Sequence, residues 1–67
     1  MTLTINGRNH EVPGENLTVS RLIDTLGLGA RPVLVELNGE AVLCREFDTQ
    51  AVGAGDTVEI IRMVAGG

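Results

Sequence analysis

The residues best suited to chemistry are the last four, Val64, Ala65, Gly66 and Gly67, which directly follow an apolar segment, Thr57 to Met63. Glycine has no Cβ, so two terminal glycines can pass through a channel that is too narrow for other residues. The reactive group they present is the C-terminal carboxylate, which is a poor acyl donor because its leaving group is oxide. Adenylation by ATP would supply a good leaving group and allow a sulfur or nitrogen nucleophile to attack. The pattern therefore predicts a compact protein that presents its C-terminal carboxylate to a second, activating protein.

The other side chains show no arrangement typical of an enzyme active site. His10 is the single histidine and lies in a predicted strand, and Cys44 has only Arg45 beside it as a basic partner. Free cysteine is often a small buried apolar residue, so the sequence leaves the exposure of Cys44 open. We expect no catalytic residue, no metal site and no bound cofactor. The following acidic residues show no metal-ligand spacing and are expected to form a solvated surface: Glu36, Glu40, Glu46, Asp48, Asp56 and Glu59.

Length and composition indicate one small soluble domain. The chain has 67 residues, 43% of them hydrophobic, and a single aromatic residue, Phe47, so its core must be aliphatic. A formal net charge of −4, with five arginines and no lysine, argues against nucleic-acid binding, which depends on clustered cationic side chains. One cysteine excludes an intramolecular disulfide, and no apolar run approaches the length of a membrane span. We expect a cytoplasmic protein, monomeric when free, without nucleic-acid or membrane partners.

The first half of the chain predicts a β-hairpin followed by a helix. Thr2 to Ile5 alternates polar and apolar residues, Asn6-Gly7 favours a tight turn, and Arg8 to Val12 returns as the second strand. Thr18 to Leu26 has its apolar residues at helical spacing, begins with a capping threonine and is followed by Gly27, which suits a left-handed C-cap. These signals agree with one another, so they predict a defined helix of about two turns.

The second half predicts strands around one irregular segment. Strands are expected at Val33 to Leu37, at Glu40 to Leu43 after a second Asn-Gly turn, and at Thr57 to Met63, with a loop and one helical turn over Cys44 to Ala54. This order is that of the β-grasp, or ubiquitin-like, α+β fold: a mixed sheet of four to five strands with one helix packed across one face. The first and last strands then lie parallel at the sheet centre. We expect residues 1–67 to form one such domain, with 64–67 as a flexible tail.

The last strand carries apolar residues on both faces. If Val58 and Ile60 face the helix, Ile61 and Met63 point to the uncovered face of the sheet. An exposed aliphatic patch on a small domain often marks a partner surface, but a bulged strand or ordinary scattered surface residues would explain it too. The sequence leaves both interpretations open.

Several segments together resemble the ThiS family, the sulfur carriers of thiamine biosynthesis. They are the Val64-Ala65-Gly66-Gly67 ending, the strand entry Gly55 to Ile60, the helix Thr18 to Leu26 and the turn Leu37-Asn38-Gly39. The resemblance extends over essentially the full length. It implies a carrier protein, not an enzyme, and it implies the same ubiquitin-like fold.

The resemblance also implies partners and roles. An E1-like adenylyltransferase (ThiF-like) would adenylate Gly67 with ATP, a sulfur donor protein would supply sulfur, and a thiazole synthase (ThiG-like) would consume the resulting thiocarboxylate. Val64, Ala65 and Gly66 would then thread the active sites of these partners. Independently of the resemblance, the apolar pattern of the last strand makes Ile61 and Met63 candidates for a partner interface.

The sequence leaves three other classes of function open. A sulfur carrier of another pathway, the small subunit of molybdopterin synthase or a carrier for cysteine biosynthesis, would share the fold and the diglycine. Molybdopterin carriers often have prolines before the ending, where this chain has Ile61-Arg62-Met63. A ubiquitin-like binding module in the manner of TGS domains, with an incidental diglycine, and a protein-tagging modifier are the further alternatives.

Overall fold

A computed structural model of the chain describes residues 1–29 and 32–63. Within these ranges the protein has seven strands, one α-helix and one short 3-10 helix. The strands are β1 (Thr2–Ile5), β2 (Arg8–Glu11), β3 (Leu17–Thr18), β4 (Val33–Leu37), β5 (Glu40–Val42), β6 (Ala51–Val52) and β7 (Thr57–Arg62). The α-helix, α1, is Val19–Thr25, and the 3-10 helix is Cys44–Glu46.

Five of the strands form one mixed sheet in the order β2-β1-β7-β4-β5. β1 pairs in parallel with β7, whereas the other neighbours are antiparallel. The last strand therefore occupies the centre of the sheet, beside the first strand. This arrangement confirms the predicted β-grasp order of elements, with five strands in the sheet and one helix on one face.

The helix begins and ends as its sequence predicts. The side-chain oxygen of Thr18 accepts a hydrogen bond from the Arg21 N–H at 3.2 Å and so caps the first turn. At the other end Gly27 has a φ of +76°, and its N–H donates to the Asp24 carbonyl at 3.0 Å. The next N–H, of Leu28, donates to the Ile23 carbonyl at 3.0 Å, which completes a Schellman motif. Glycine is favoured at position 27 because other residues adopt this left-handed backbone only with strain.

The core lies between α1 and the inner face of the sheet and is aliphatic throughout. Four of its side chains, those of Leu3, Val19, Leu22 and Val58, are fully buried. Phe47, the single aromatic residue, is only partly buried and packs against the edge of this core. In the described ranges the buried hydrophobic residues are Leu3, Ile5, Val12, Leu17, Val19, Leu22, Ile23, Val33, Val35, Val52, Val58 and Ile60.

One small sheet was absent from the sequence prediction. β3 pairs antiparallel with β6, so that Leu17 lies opposite Val52 and Thr18 opposite Ala51. The prediction placed a loop over Cys44 to Ala54, and it is wrong at Ala51–Val52. Two-residue strands carry no period, so only the tertiary pairing reveals them. The helical turn expected near Phe47 is present as the 3-10 helix that ends beside it.

Candidate functional site

The candidate site is the outer face of β7, the face opposite the helix, at the end of the strand that leads to the diglycine. Burial alternates along β7 from Thr57 to Ile61: Val58 and Ile60 are buried, whereas Ile61 is 52% exposed. Met63, directly after the strand, is 47% exposed. The predicted outward orientation of Ile61 and Met63 is therefore confirmed, and the bulged-strand alternative is excluded by the regular register with β4.

A third apolar side chain completes this surface. Leu34 on β4 lies directly opposite Ile61 and is 54% exposed. We call Leu34, Ile61 and Met63 the outer patch. The sequence prediction missed Leu34, although the alternation of β4, with Val33 and Val35 buried, would have placed it on the outer face. Three large exposed aliphatic side chains at one end of a small sheet are typical of a surface that a partner covers.

Acidic side chains border the outer patch on the same face. Glu36 lies directly opposite Glu59 in the pairing of β4 with β7, one alternate position away from Leu34 and Ile61. Both carboxylates are exposed. Like charges at directly opposite positions destabilise a sheet, so this pair does not contribute to the stability of the free protein. A partner that brings a cation to this place would relieve the repulsion.

Two asparagines hold β7 in position, one at its first residue, Thr57, and one at Ile60. Asn6 follows β1 and has a φ of +50°. Its side chain makes two hydrogen bonds to the backbone of Ile60: Oδ1 accepts from the Ile60 N–H at 2.8 Å, and Nδ2 donates to the Ile60 carbonyl at 3.1 Å. Asn38 follows β4, has a φ of +51°, and its Oδ1 accepts from the Thr57 N–H at 2.9 Å. The sequence predicted both residues as turn formers but not as partners of β7.

The strand pairing of β7 continues to the last described residue. The Met63 N–H donates to the Pro32 carbonyl at 3.0 Å, which extends the antiparallel ladder with β4 by one position. The chain therefore leaves the sheet centre with its direction set by β4 and by the asparagine contacts. The predicted tail and its chemistry, at Val64 to Gly67, lie outside the described residues.

The remaining reactive side chains do not come together. His10 is half-buried on β2, opposite Leu3, and Cys44 is exposed at the start of the 3-10 helix, which answers the question of its exposure. Asp56 is half-buried and structural: its carboxylate accepts from the Gly53 N–H at 2.7 Å. In residues 1–29 and 32–63 no group of three His, Cys, Asp or Glu side chains is placed to hold a metal ion. The other predicted surface acids, Glu36, Glu40, Glu46, Asp48 and Glu59, are exposed as expected.

The described part of the chain offers no helix with the length and apolar character needed to span a bilayer. α1 has seven residues and packs on the sheet.

Comparison with solved structures gives matches over the full length of this chain. The chain is similar to the crystal structure of the thiamine biosynthesis protein ThiS from Geobacter metallireducens, with 40% sequence identity, a TM-score of 0.84 and complete coverage of both chains. It is also similar to the solution structure of a thiamine biosynthesis protein from the same organism, with 42% identity, a TM-score of 0.82, and coverage of 100% of this chain and 88% of the other.

Comparison with curated proteins gives a longer relative. The chain is 37% identical over 67 residues to a protein named thiazole synthase from Paramagnetospirillum magneticum. It spans only about a fifth of that protein's length, since the match covers all of this chain but 20% of the relative. Finally, the model of the ThiS family matches residues 3–67, which is nearly the whole sequence. The chain therefore belongs to the ThiS family.

Proposed function

We propose that this protein is a sulfur carrier of thiamine biosynthesis. The C-terminal carboxylate of Gly67 is converted to a thiocarboxylate, and this group carries the sulfur. The observation that supports the proposal most directly is the family match over residues 3–67, which includes the diglycine ending. The two structures of thiamine biosynthesis proteins, matched over the whole of this chain, support the assignment. The protein itself would be a co-substrate of its partners and not a catalyst.

The proposed chemistry has two steps. A carboxylate oxygen of Gly67 attacks the α-phosphorus of ATP in an E1-like, ThiF-like adenylyltransferase; pyrophosphate leaves and an acyl adenylate remains. Sulfur at the oxidation level of hydrosulfide, delivered by a donor protein, then attacks the carbonyl carbon, and AMP leaves with the former carboxylate oxygen. The product is a C-terminal thiocarboxylate. ATP is thus bound and consumed by the activating partner, and the carrier needs no cofactor of its own.

The proposed consumer of the thiocarboxylate is a thiazole synthase, ThiG-like. The support is the similarity to a segment of a protein that is itself named thiazole synthase. A carrier that must visit an activating enzyme and a synthase needs one surface that both recognise. The outer patch, with Ile61 and Met63 exposed beside the end of β7, is our candidate for that surface.

Intact-mass spectrometry tests the carrier function. The protein would be incubated with a ThiF-like enzyme, ATP and a sulfide source, and we expect a mass gain equal to the difference between sulfur and oxygen. Omission of ATP must abolish the gain. No gain with several E1-like enzymes would contradict the carrier function and favour a ubiquitin-like binding module.

Growth of a deletion strain tests the pathway. Loss of the gene should create a requirement for thiamine or its thiazole precursor, because the proposed sulfur acceptor is the thiazole ring. A strain that instead loses molybdoenzyme activity, or requires cysteine, would assign the carrier to another pathway. Conjugates of the protein to other proteins in cell extracts would indicate a protein-tagging modifier.

A further inference from the structure

The edge of the sheet at β4 is open where β5 is too short to cover it. β5 pairs only with the second part of β4, and the last pair is Val35 with Val42. Continuation of this register would place Leu34 opposite Leu43 and Val33 opposite Cys44. The chain instead turns into the 3-10 helix at Cys44, so neither position gains a strand partner on that side within the described residues.

The backbone groups of Val33 face this open edge. Toward β7, the Pro32 carbonyl accepts from the Met63 N–H at 3.0 Å, and the Asn38 N–H donates to the Thr57 carbonyl at 2.7 Å. In an antiparallel ladder the hydrogen-bonding direction alternates from residue to residue, so the even-numbered positions of β4 face β7. The N–H and C=O of Val33 therefore point away from β7 and toward the opening. Exposed edge groups of this kind are what an added strand binds.

A cleft of about 500 Å³ lies along this edge. Ile23, Val42 and Phe47 line it on the helix side, and Leu34 and Ile61 line it from the outer patch. The volume lies within the range of roughly 300–1,000 Å³ that is usual for ligand pockets, and it is open at the surface. An apolar side chain of an added strand could occupy it while the backbone of that strand pairs with Val33.

The charges of the cleft favour a basic segment. Among the described residues that line it, Asp24 and Glu36 are charged and none is basic. Glu36 also faces Glu59 across the sheet, so a cation beside Glu36 would relieve repulsion in the free protein. A second copy of this chain would bring the same carboxylates, and the chain's own C-terminus would bring a further one. Both are therefore disfavoured as occupants.

We propose that the open edge of β4 is a docking site for an extended segment of a partner protein. This segment adds a short strand at Val33, places one apolar side chain in the cleft and pairs a Lys or Arg with Glu36. Main-chain hydrogen bonds supply affinity, and the cleft and the carboxylates select an apolar residue with basic neighbours. The proposal does not depend on chemistry at Gly67, so either proposal can fail without the other.

A peptide titration of the full chain tests the site. The probe is the peptide Arg-Val-Leu-Val-Arg, blocked at both ends. Its binding is monitored by two-dimensional NMR of the ¹⁵N-labelled protein. We expect saturable shifts centred on the amides of Val33, Leu34, Leu43 and Cys44. The blocked peptide Glu-Val-Leu-Val-Glu should bind at least about tenfold more weakly, because it places like charges beside Asp24 and Glu36. Equal binding of both peptides, or shifts that avoid this edge, would overturn the proposal.

Two variants and a control define the contacts. Glu36→Gln should weaken binding of the basic peptide about threefold, because an ion pair at an exposed carboxylate is lost, and added salt should reduce this effect. Leu34→Ser should weaken it through lost apolar contact. Glu40→Gln is the control, because it makes the same charge change on β5 outside the cleft. This variant should bind the basic peptide with the same affinity as the unaltered chain. An equal loss in Glu40→Gln would reduce the effect to net charge and contradict the site.

The same spectra test whether a second copy of the chain or the chain's own C-terminus occupies the edge. Dilution of the free protein should leave the Val33 amide unchanged, and removal of residues 64–67 should leave it unchanged too. A dilution-dependent shift would show that a second copy covers the edge. A shift on truncation would show that the chain's own C-terminus does so. Either result would overturn the assignment to a partner protein.

Discussion

The side chain of Asn6 acts as a strand partner for Ile60. β1 pairs with β7 only at Thr4–Thr57 and Ile5–Val58 and then turns away. Beyond these two pairs, the side-chain oxygen of Asn6 accepts from the Ile60 N–H at 2.8 Å and the side-chain nitrogen donates to the Ile60 carbonyl at 3.1 Å. The side chain thus satisfies two backbone groups that would otherwise lack a neighbour on that side of β7. It also ties the N-terminal hairpin to the strand that leads to the diglycine.

Loss of this contact should destabilise the whole domain. Asn6→Gly keeps the backbone angle, φ +50°, within easy reach but leaves the partly buried N–H of Ile60 without a partner. We expect the free energy of unfolding, measured in urea, to fall by about 1–3 kcal/mol. Asn6→Ala should lose about 1 kcal/mol more, because a Cβ disfavours the left-handed region.

Asn16→Gly is the matched control for Asn6→Gly. Asn16 lies in the loop before β3 and also has a positive φ, +55°, but within the described residues its side chain makes no hydrogen bond to β7. The substitution makes the same change in backbone freedom, so it isolates the hydrogen bonds of Asn6. Equal losses in the two variants would mean that glycine entropy alone explains the effect and that the amide contact is unimportant.

The contact of Asn6 with Ile60 could not be predicted from local sequence patterns. The pair Asn6-Gly7 predicts a tight turn because that preference is local, set by backbone angles within two residues. The bond to Ile60 joins positions that are 54 residues apart in sequence. No local pattern encodes such a partner. The same holds for Asn38, whose side chain reaches Thr57.

Local signals were sufficient for the main elements. The cap at Thr18, the glycine at position 27 and the apolar spacing between them predicted α1 to within one residue at each end. The alternation of β7 placed Ile61 and Met63 outside correctly. The cleft beside β4 could not be predicted, because it arises where β5 ends early and that end depends on tertiary packing.

Neutralising the acidic pair should stabilise the free protein. Glu36 and Glu59 face each other across β4 and β7, so Glu59→Gln should raise the free energy of unfolding by about 0.5 kcal/mol at low salt. The gain should diminish as salt screens the repulsion. A double-mutant cycle with Glu36→Gln supplies the control: once one glutamate is neutral, removal of the other should bring no further gain. Additive effects in the cycle would show that the two carboxylates do not interact.

Charge on the outer patch should weaken partner binding without unfolding the domain. Ile61→Glu and Met63→Glu place a carboxylate where about half of each side chain is exposed, so the change in stability should stay within about 1 kcal/mol. If the patch docks on the activating enzyme, each variant should bind it at least about tenfold more weakly, as measured by calorimetry.

Thr57→Glu adds the same charge to β7 at the far end of the strand and serves as the control. Thr57 is exposed and lies outside the outer patch. The Thr57→Glu variant should bind the activating enzyme with an affinity close to that of the unaltered chain. Unchanged binding in the Ile61 and Met63 variants would show that the outer patch is not the docking surface, and unfolding of these variants would show that the side chains support the core.

The diglycine should be sensitive to the smallest added side chain. In the proposed reaction the last residues must pass through a narrow channel to bring the Gly67 carboxylate to ATP, so Gly66→Ala should slow adenylation by up to about 10²-fold through misplacement of the reacting group. Pyrophosphate release with the ThiF-like enzyme measures the rate. Gly53→Ala is the control, because its Cβ would meet only an Asp56 carboxylate oxygen at 3.8 Å, an ordinary contact. Both variants should unfold at the same urea concentration as the unaltered chain, so a lower rate in Gly66→Ala alone would report on the channel. Equal rates in all three proteins would show that the width of the chain at position 66 does not matter for activation.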